Sequence, residues 1–304
     1  MIPLFVTSKN RPTQLRLLLE SLNRNCSQLF DVSVLHFSSE SCYKEGYEKV
    51  QSENLLENIE WVEERTKWPH IERASGVFTE QFYEFLNANM GGHFALMVDD
   101  NVFFRKTSVS PDDITSLLDE ETFSFSFRLG KNTSIQNHLD GQEQLSLDIE
   151  TETEDGFIKW DWHKYDNAFT DYAFPFSWDG VVYKTDDILD ILDGSDLDND
   201  DRIHPSWKRF PLPHRLESFM GTLFNARHGL FAKKRLICAP PHSHVVGMDY
   251  NKVINVSNRG GHSFRADEKE LCESYLRGYH IDYDSMNFQN VKSAHDEIPF
   301  KLTE

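Results

Sequence analysis

The chain is short of positive charge. Lys and Arg number 31 against 50 Asp and Glu, for a formal net charge of −19. That balance excludes a broad basic surface, so nucleic acid is not an expected partner. A phosphorylated ligand would have to be met by a metal ion and a few local arginines or lysines. Cysteine is scarce too. Cys26, Cys42, Cys238 and Cys272 are widely spaced and form no CxxC pair. A chain of 304 residues needs no disulfide staple, and a reducing compartment is the default. Long apolar runs are missing: no stretch approaches the roughly 20 residues of a membrane span. Ile2–Val6 is apolar but is broken at once by Ser8, Lys9, Asn10 and Arg11, too soon for a signal-peptide core. The expected location is cytoplasmic, with peripheral membrane association at most. Neither GxGxxG nor GxxxxGK[ST] follows any strand-like segment, which argues against a dinucleotide fingerprint and a P-loop. No Pro- or Gly-rich linker and no internal repeat divides the chain, so one domain over residues 1–304 is expected.

Aromatic residues are plentiful, with 23 Phe, 10 Tyr and 6 Trp. They predict a heavily aromatic core and some stacking surface for rings or sugars. The first hundred residues alternate in a regular way. Ile2–Val6 reads as a buried strand, followed by the polar turn Thr7–Pro12. Leu15, Leu17, Leu18, Leu19 and Leu22 give a helical stripe, with Thr13 as its expected N-cap. Phe30–Phe37 is a second strand, Tyr43–Leu56 a helix, Ile59–Val62 a third strand and Phe78–Asn89 another helix. Gly91 and Gly92 end that helix, and the strand Phe94–Val98 follows. Strands alternating with helices predict an α/β domain with a parallel sheet. Ligands of such sheets sit beyond the carboxyl ends of the strands. The segments Thr7–Arg11, Ser38–Ser41 and Asp99–Asn101 should therefore share one edge.

The apolar strand Phe94–Val98 stops abruptly in Asp99, Asp100 and Asn101. Two adjacent carboxylates at a buried strand tip are costly unless something pairs with them. A divalent cation is one partner; an acidic turn capping a following helix is the other reading. The second half is less regular. Thr122–Leu129 and Phe157–His163 read as strands, Thr185–Leu192 and His214–Phe224 as helices, and Asp267–Tyr279 as an amphipathic helix. Lys131–Asp155 reads as a long polar loop. Asp193–Arg202 is acidic but lacks EF-hand spacing, and it reads as a solvated loop.

With these residues in view, the chain resembles a glycosyltransferase of the GT-A fold. The resemblance rests on the T-S-K-N-R-P turn after the first strand, the small polar residues ending the second, and D-D-N as a variant of the DXD signature. R-L-E-S-F at the start of a later helix adds to it. It implies a GT-A-like (Rossmann-like) mixed, mostly parallel sheet flanked by helices. Residues 1–105 would be the nucleotide-sugar half and 106–304 an irregular acceptor half with a helical tail. It also implies a UDP-, GDP- or dTDP-sugar donor, a glycan or other hydroxyl acceptor, and Mn²⁺ or Mg²⁺. Carried over by position, Thr7, Asn10, Arg11, Ser38 and Ser39 face the nucleoside. Asp99 faces the ribose or a metal-bound water. Asp100 is the principal metal ligand, with Asn101 where relatives carry a second Asp and His244 a late additional ligand. Arg128 would meet the diphosphate or pair with Asp99, and Arg259 lies on a Gly-flexible loop. Glu217 is the first candidate for the base that takes the acceptor proton in an inverting transfer, and Asp179 the second. One of Trp160, Trp162 and Trp178 is expected to stack on a sugar ring. A nucleotidyltransferase of similar fold, or a non-catalytic carbohydrate-binding protein on such a scaffold, are the alternative readings.

Overall fold

Nine strands form one twisted sheet, and their order follows from the alternation seen in the sequence. The computed structural model describes residues 1–65, 77–137, 142–165, 170–193, 230–248 and 267–304. In chain order the first elements are β1 (Ile2–Lys9), α1 (Pro12–Cys26), β2 (Phe30–Phe37), α2 (Ser41–Glu53), β3 (Glu60–Glu63), α3 (Val77–Ala88) and β4 (His93–Val98). Next come β5 (Asn101–Phe103), α4 (Pro111–Leu117), β6 (Thr122–Ser126), β7 (Ile135–Asn137), β8 (Gln142–Glu143), β9 (Thr151–Glu152) and β10 (Ile158–Asp161). After these come β11 (Val181–Lys184), α5 (Thr185–Asp193), the short helix Leu230–Lys233, β12 (Leu236–Ala239), β13 (Val245–Met248), the C-terminal helix Glu268–Leu276, β14 (His280–Ile281), β15 (His295–Asp296) and β16 (Leu302–Thr303), with single 3-10 turns between some of them. The large sheet runs β3-β2-β1-β4-β11-β6-β12-β10-β9. β3, β2, β1 and β4 are mutually parallel. β11 then enters antiparallel to β4 and to β6. The result is a mixed sheet flanked by helices, a Rossmann-like, GT-A-like α/β architecture.

Side-chain alternation explains the layers. Along β1, Leu4 and Val6 join a core with Leu15, Leu18 and Leu19 of α1, while Phe5 faces Phe78 and Phe82 of α3. Along β4, Phe94 and Leu96 face the α3 side, and Ala95 and Met97 the other. Strands buried on both faces read as continuous apolar runs, and these two do. The aromatic content is spent largely on the α3 side, where Phe5, Phe82, Phe94, Trp178 and Tyr183 pack ring against ring. Pro12 stands at the first position of α1 and Arg11 at its cap, with no side-chain cap bond, so Thr13 lies inside the first turn rather than capping it. The loop expected over Lys131–Asp155 carries the short strands β7, β8 and β9. The acidic run Asp193–Arg202, the helix His214–Phe224 and Arg259 lie wholly or almost wholly outside the described residues.

Register fixes the edge on which a ligand would meet the sheet. Lys9 pairs with Phe37, Thr7 with Val98 and His36 with Glu63. The carboxyl ends of β1, β2, β3 and β4 therefore end side by side. A second small sheet, β15-β13-β5, stands against this edge, with Asn101 opposite Gly247.

Candidate functional site

Asp99 and Asp100 leave the tip of β4 next to the β1–α1 turn, and Arg11 of that turn reaches both. Its Nη1 donates to Asp99 Oδ1 at 3.2 Å and to Asp100 Oδ2 at 2.6 Å. The other Asp99 oxygen accepts from Ser8 Oγ at 2.8 Å and from the Lys9 amide at 3.2 Å. Tyr47, reaching in from α2, closes the ring. Its hydroxyl lies 2.6 Å from Ser8 Oγ and accepts the Arg11 amide at 3.1 Å. Arg11 and Asp99 are buried, whereas the Asp100 side chain is 21% exposed. Burial works against the Arg11 charge, but Asp99 and Asp100 more than offset it, so its guanidinium is held more firmly than usual. Burial also pushes the Tyr47 hydroxyl up, keeping it neutral. A charge-assisted network with both ends buried is rigid, and it is costly to open one-sidedly.

The neighbouring polar segments meet at the same edge. Asn10 adopts a left-handed backbone at φ 59°. Its side chain brackets the end of β2: Nδ2 donates to Ser39 Oγ at 2.8 Å, and Oδ1 accepts the Ser39 amide at 2.8 Å. Ser38 is half-buried beside it. Thr7 is buried in β1, and its carbonyl accepts the Asp99 amide at 3.1 Å. Thus Thr7, Asn10, Arg11, Ser39, Asp99 and Asp100 form one connected edge.

Asn101 turns the other way, into the protein. Its Oδ1 accepts the Val98 amide at 3.1 Å, and its Nδ2 donates to Asp179 Oδ1 at 3.0 Å. Asp179 comes from the turn before β11, made possible by Gly180 at φ +67°. Asp179 Oδ2 accepts from Ser177 Oγ at 2.9 Å and lies 3.6 Å from Arg128 Nη1 and 3.5 Å from His295 Nε2. Arg128 also donates to Asp171 at 3.2 Å. Burial would raise the Asp179 carboxyl, but His295, Arg128, Asn101 and Ser177 together hold it below the usual carboxylate range. Arg128 thus pairs with Asp171 and Asp179 rather than with Asp99.

The expected metal donors were Asp100, Asn101 and His244. The Asn101 amide is engaged at both ends, as described. The His244 ring packs near Phe103 and Phe127, with centroids 5.9 Å from each. Burial, helped by Arg105, pushes its pKa down to about 4. Asp100 is the one member presenting a carboxylate at the edge, and Arg11 holds one of its oxygens. Among the described residues no group of three or more His, Cys, Asp and Glu side chains is gathered to hold a metal ion. As arranged, these residues do not fit Mn²⁺ or Mg²⁺. Trp160, Trp162 and Trp178 are all buried, so none of the three presents a face to a sugar ring. Trp160 and Trp162 donate instead to the carbonyls of Tyr172 and Lys234. Glu217 lies outside the described residues.

Sequence reasoning missed Ser8, Tyr47, Asp171 and His295. Ser8 lies in the expected Thr7–Pro12 turn, where a serine reads as ordinary turn chemistry. Tyr47 sits on the apolar stripe of α2, where a core tyrosine and a site tyrosine look alike. His295 comes from a tail with no periodic signal, and only tertiary pairing of β15 with β13 brings it to Asp179.

No family model matches the chain, and no curated protein matches its sequence. Among solved structures, it is similar to TarS of S. aureus at 13% identity, over 81% of this chain and 36% of that one, with a TM-score of 0.43. A structure of S. aureus TarS residues 1–349 in complex with UDP aligns at 14% identity, over 81% of this chain and 60% of that one, with a TM-score of 0.44. Core-mannan synthase A (CmsA/Ktr4) from Aspergillus fumigatus, in its Mn/GDP form, aligns at 12% identity over 91% of this chain and 85% of that one, with a TM-score of 0.34. The matched region spans little more than a third of the first of these TarS chains. At these identities and scores the likenesses assign neither substrate nor site.

Proposed function

We propose that this chain transfers a glycosyl group from a UDP-, GDP- or dTDP-sugar to a hydroxyl of a glycan or similar acceptor. The observation that carries this reading is the Arg11–Asp99–Asp100 network at the shared carboxyl edge of four parallel strands. Ligand sites of open α/β sheets lie on that edge. The edge lacks a glycine-rich loop for phosphates, which sets it apart from nucleotidyltransferases and dinucleotide enzymes. Asp99, fixed by Ser8, Lys9 and Arg11, is an acceptor already desolvated and oriented for a ribose hydroxyl. Asp100 is the more exposed carboxylate and faces the donor side. Thr7, Asn10, Ser38 and Ser39 shape the floor for the nucleoside.

Transfer needs a group to accept the proton of the acceptor hydroxyl as its oxygen bonds to the anomeric carbon. Asp179 is the carboxylate we assign to that role among the described residues, with His295 and Arg128 orienting it. Glu217 remains the other candidate. The saturated hydrogen bonding of Asp179 favours a second reading, a non-catalytic carbohydrate-binding protein. One assay separates the two. Release of nucleoside diphosphate from a panel of UDP-, GDP- and dTDP-sugars, without acceptor, is expected from an enzyme. Donor binding with no release at any pH would leave only the binder.

A further inference from the structure

The strand-tip carboxylates pose a charge problem, and the structure shows what answers it. Asp99 is buried, and Asp100 follows it directly in the chain. A single guanidinium nitrogen of Arg11 lies 3.2 Å from one and 2.6 Å from the other. One nitrogen thus bridges an oxygen of each carboxylate. The remaining Asp99 oxygen is taken by Ser8 and the Lys9 amide. The next donor in the chain, Asn101, spends its amide oxygen on Val98 and its amide nitrogen on Asp179. A hard divalent ion can complete its shell with water but needs the carboxylate oxygens as its anchor, and here a guanidinium already occupies one oxygen of each carboxylate.

Arg11 is also held there by more than its charge. Its amide donates to Tyr47 and its carbonyl accepts the Leu15 amide, so the backbone is fixed by α1 and α2 together. Pro12 locks the first helical position immediately after it. The side chain is 7% exposed. An ion entering from solution would have to displace a buried guanidinium paired to both carboxylates.

We infer that Arg11 is the resident cation of the Asp99–Asp100 site, and that the free chain holds no divalent ion there. This goes beyond the transfer reading and does not depend on it, because it concerns the protein without donor or acceptor. It also has a consequence that can be read directly. Removing the guanidinium should turn two caged carboxylates into a divalent-ion site.

The test uses the full chain, free of nucleotide, titrated with Mn²⁺ while the signal of the unbound ion is followed by electron paramagnetic resonance. The wild type is expected to leave the free-ion signal equal to that of buffer up to about 1 mM. Arg11→Gln is expected to take up one equivalent at least about tenfold more tightly than wild type. Arg11→Lys, which keeps the charge, is expected to stay silent, and Asp100→Asn added to Arg11→Gln should abolish the gained site. Stoichiometric binding by the wild type at micromolar ion overturns the inference. So does a folded Arg11→Gln variant that gains nothing. Should that variant fail to fold, the wild type decides alone: a rise in its melting temperature with Mn²⁺ that Asp100→Asn removes contradicts the inference, and its absence upholds it. None of these results bears on whether a sugar donor binds.

Discussion

Arg11 is the residue on which the site's charge balance turns. Truncating it leaves Asp99 buried without its ionic partner, and breaking one side of such a pair costs about 3–5 kcal/mol. Arg11→Ala should therefore lower the unfolding free energy from urea denaturation by that amount, through a lower midpoint at unchanged slope, whereas Ser39→Ala, at the exposed end of the Asn10 bracket, should change it by about 0.5 kcal/mol or less. His244 gives the second prediction at this scale. It is neutral in the fold, with its pKa pushed down to about 4, while the unfolded chain carries an ordinary histidine. The unfolded state then binds the extra proton as pH falls below about 6.5. Stability should be full above that value, lost progressively towards pH 4, and flat in this respect below it. Between pH 7 and pH 5 the loss is about 2 kcal/mol. Chemical denaturation at the two pH values checks it, and His244→Leu should flatten the difference. Asp179 works in the acid range. Its depressed carboxyl stabilises the fold above the usual carboxylate pKa and loses that contribution as pH drops through its own lower value.

Among the elements, the turn before β11 is the most constrained part of the site. Gly180 sits at φ +67°, and a Cβ there would lie 2.9 Å from Val245 of β13. Gly180→Ala is both left-handed and crowded, so it should cost about 2–3 kcal/mol and displace Asp179. Melting temperature reads the first effect and donor turnover the second. The α1–α2 contact is similar: a Cβ at Gly46 would come within 2.6 Å of Pro12 Cγ. The elements themselves were legible where periodicity is strong. β2 spans Phe30–Phe37, as the apolar pattern of the sequence marks it, and the helices between β1 and β4 lie within a few residues of their expected places. Thr13 failed as a cap because Pro12, with its fixed φ, starts the helix two residues earlier, with Arg11 at the cap. The tryptophans failed because aromatic content says nothing of which face of an element is covered.

At the scale of the whole molecule, the sequence placed three polar strand ends on one edge of the sheet but not the contacts between them. Parallel pairing follows from strands alternating with helices, and it necessarily brings Thr7–Arg11, Ser38–Ser41 and Asp99–Asn101 together. What it leaves open is long-range: Arg11 is 88 residues from Asp99, and Asn101 is 78 from Asp179. A guanidinium and a metal ion satisfy the same pair of carboxylates, and no local spacing tells them apart. The antiparallel entry of β11 beside β4 was likewise invisible in short-range pattern, because β11 pairs with residues distant in the chain, Tyr183 with Phe94 and Val182 with Phe125. No helix among the described residues is long and apolar enough to cross a membrane. The proposed function requires that the edge formed by β1, β2 and β4 hold a nucleotide-sugar. Calorimetric titration of the full chain with UDP-, GDP- and dTDP-sugars tests it most directly, with and without Mn²⁺. Binding of one donor class at one equivalent, abolished by Asp99→Asn in a chain that still unfolds cooperatively, is the predicted result. No heat with any donor, or binding left intact by Asp99→Asn, would contradict it.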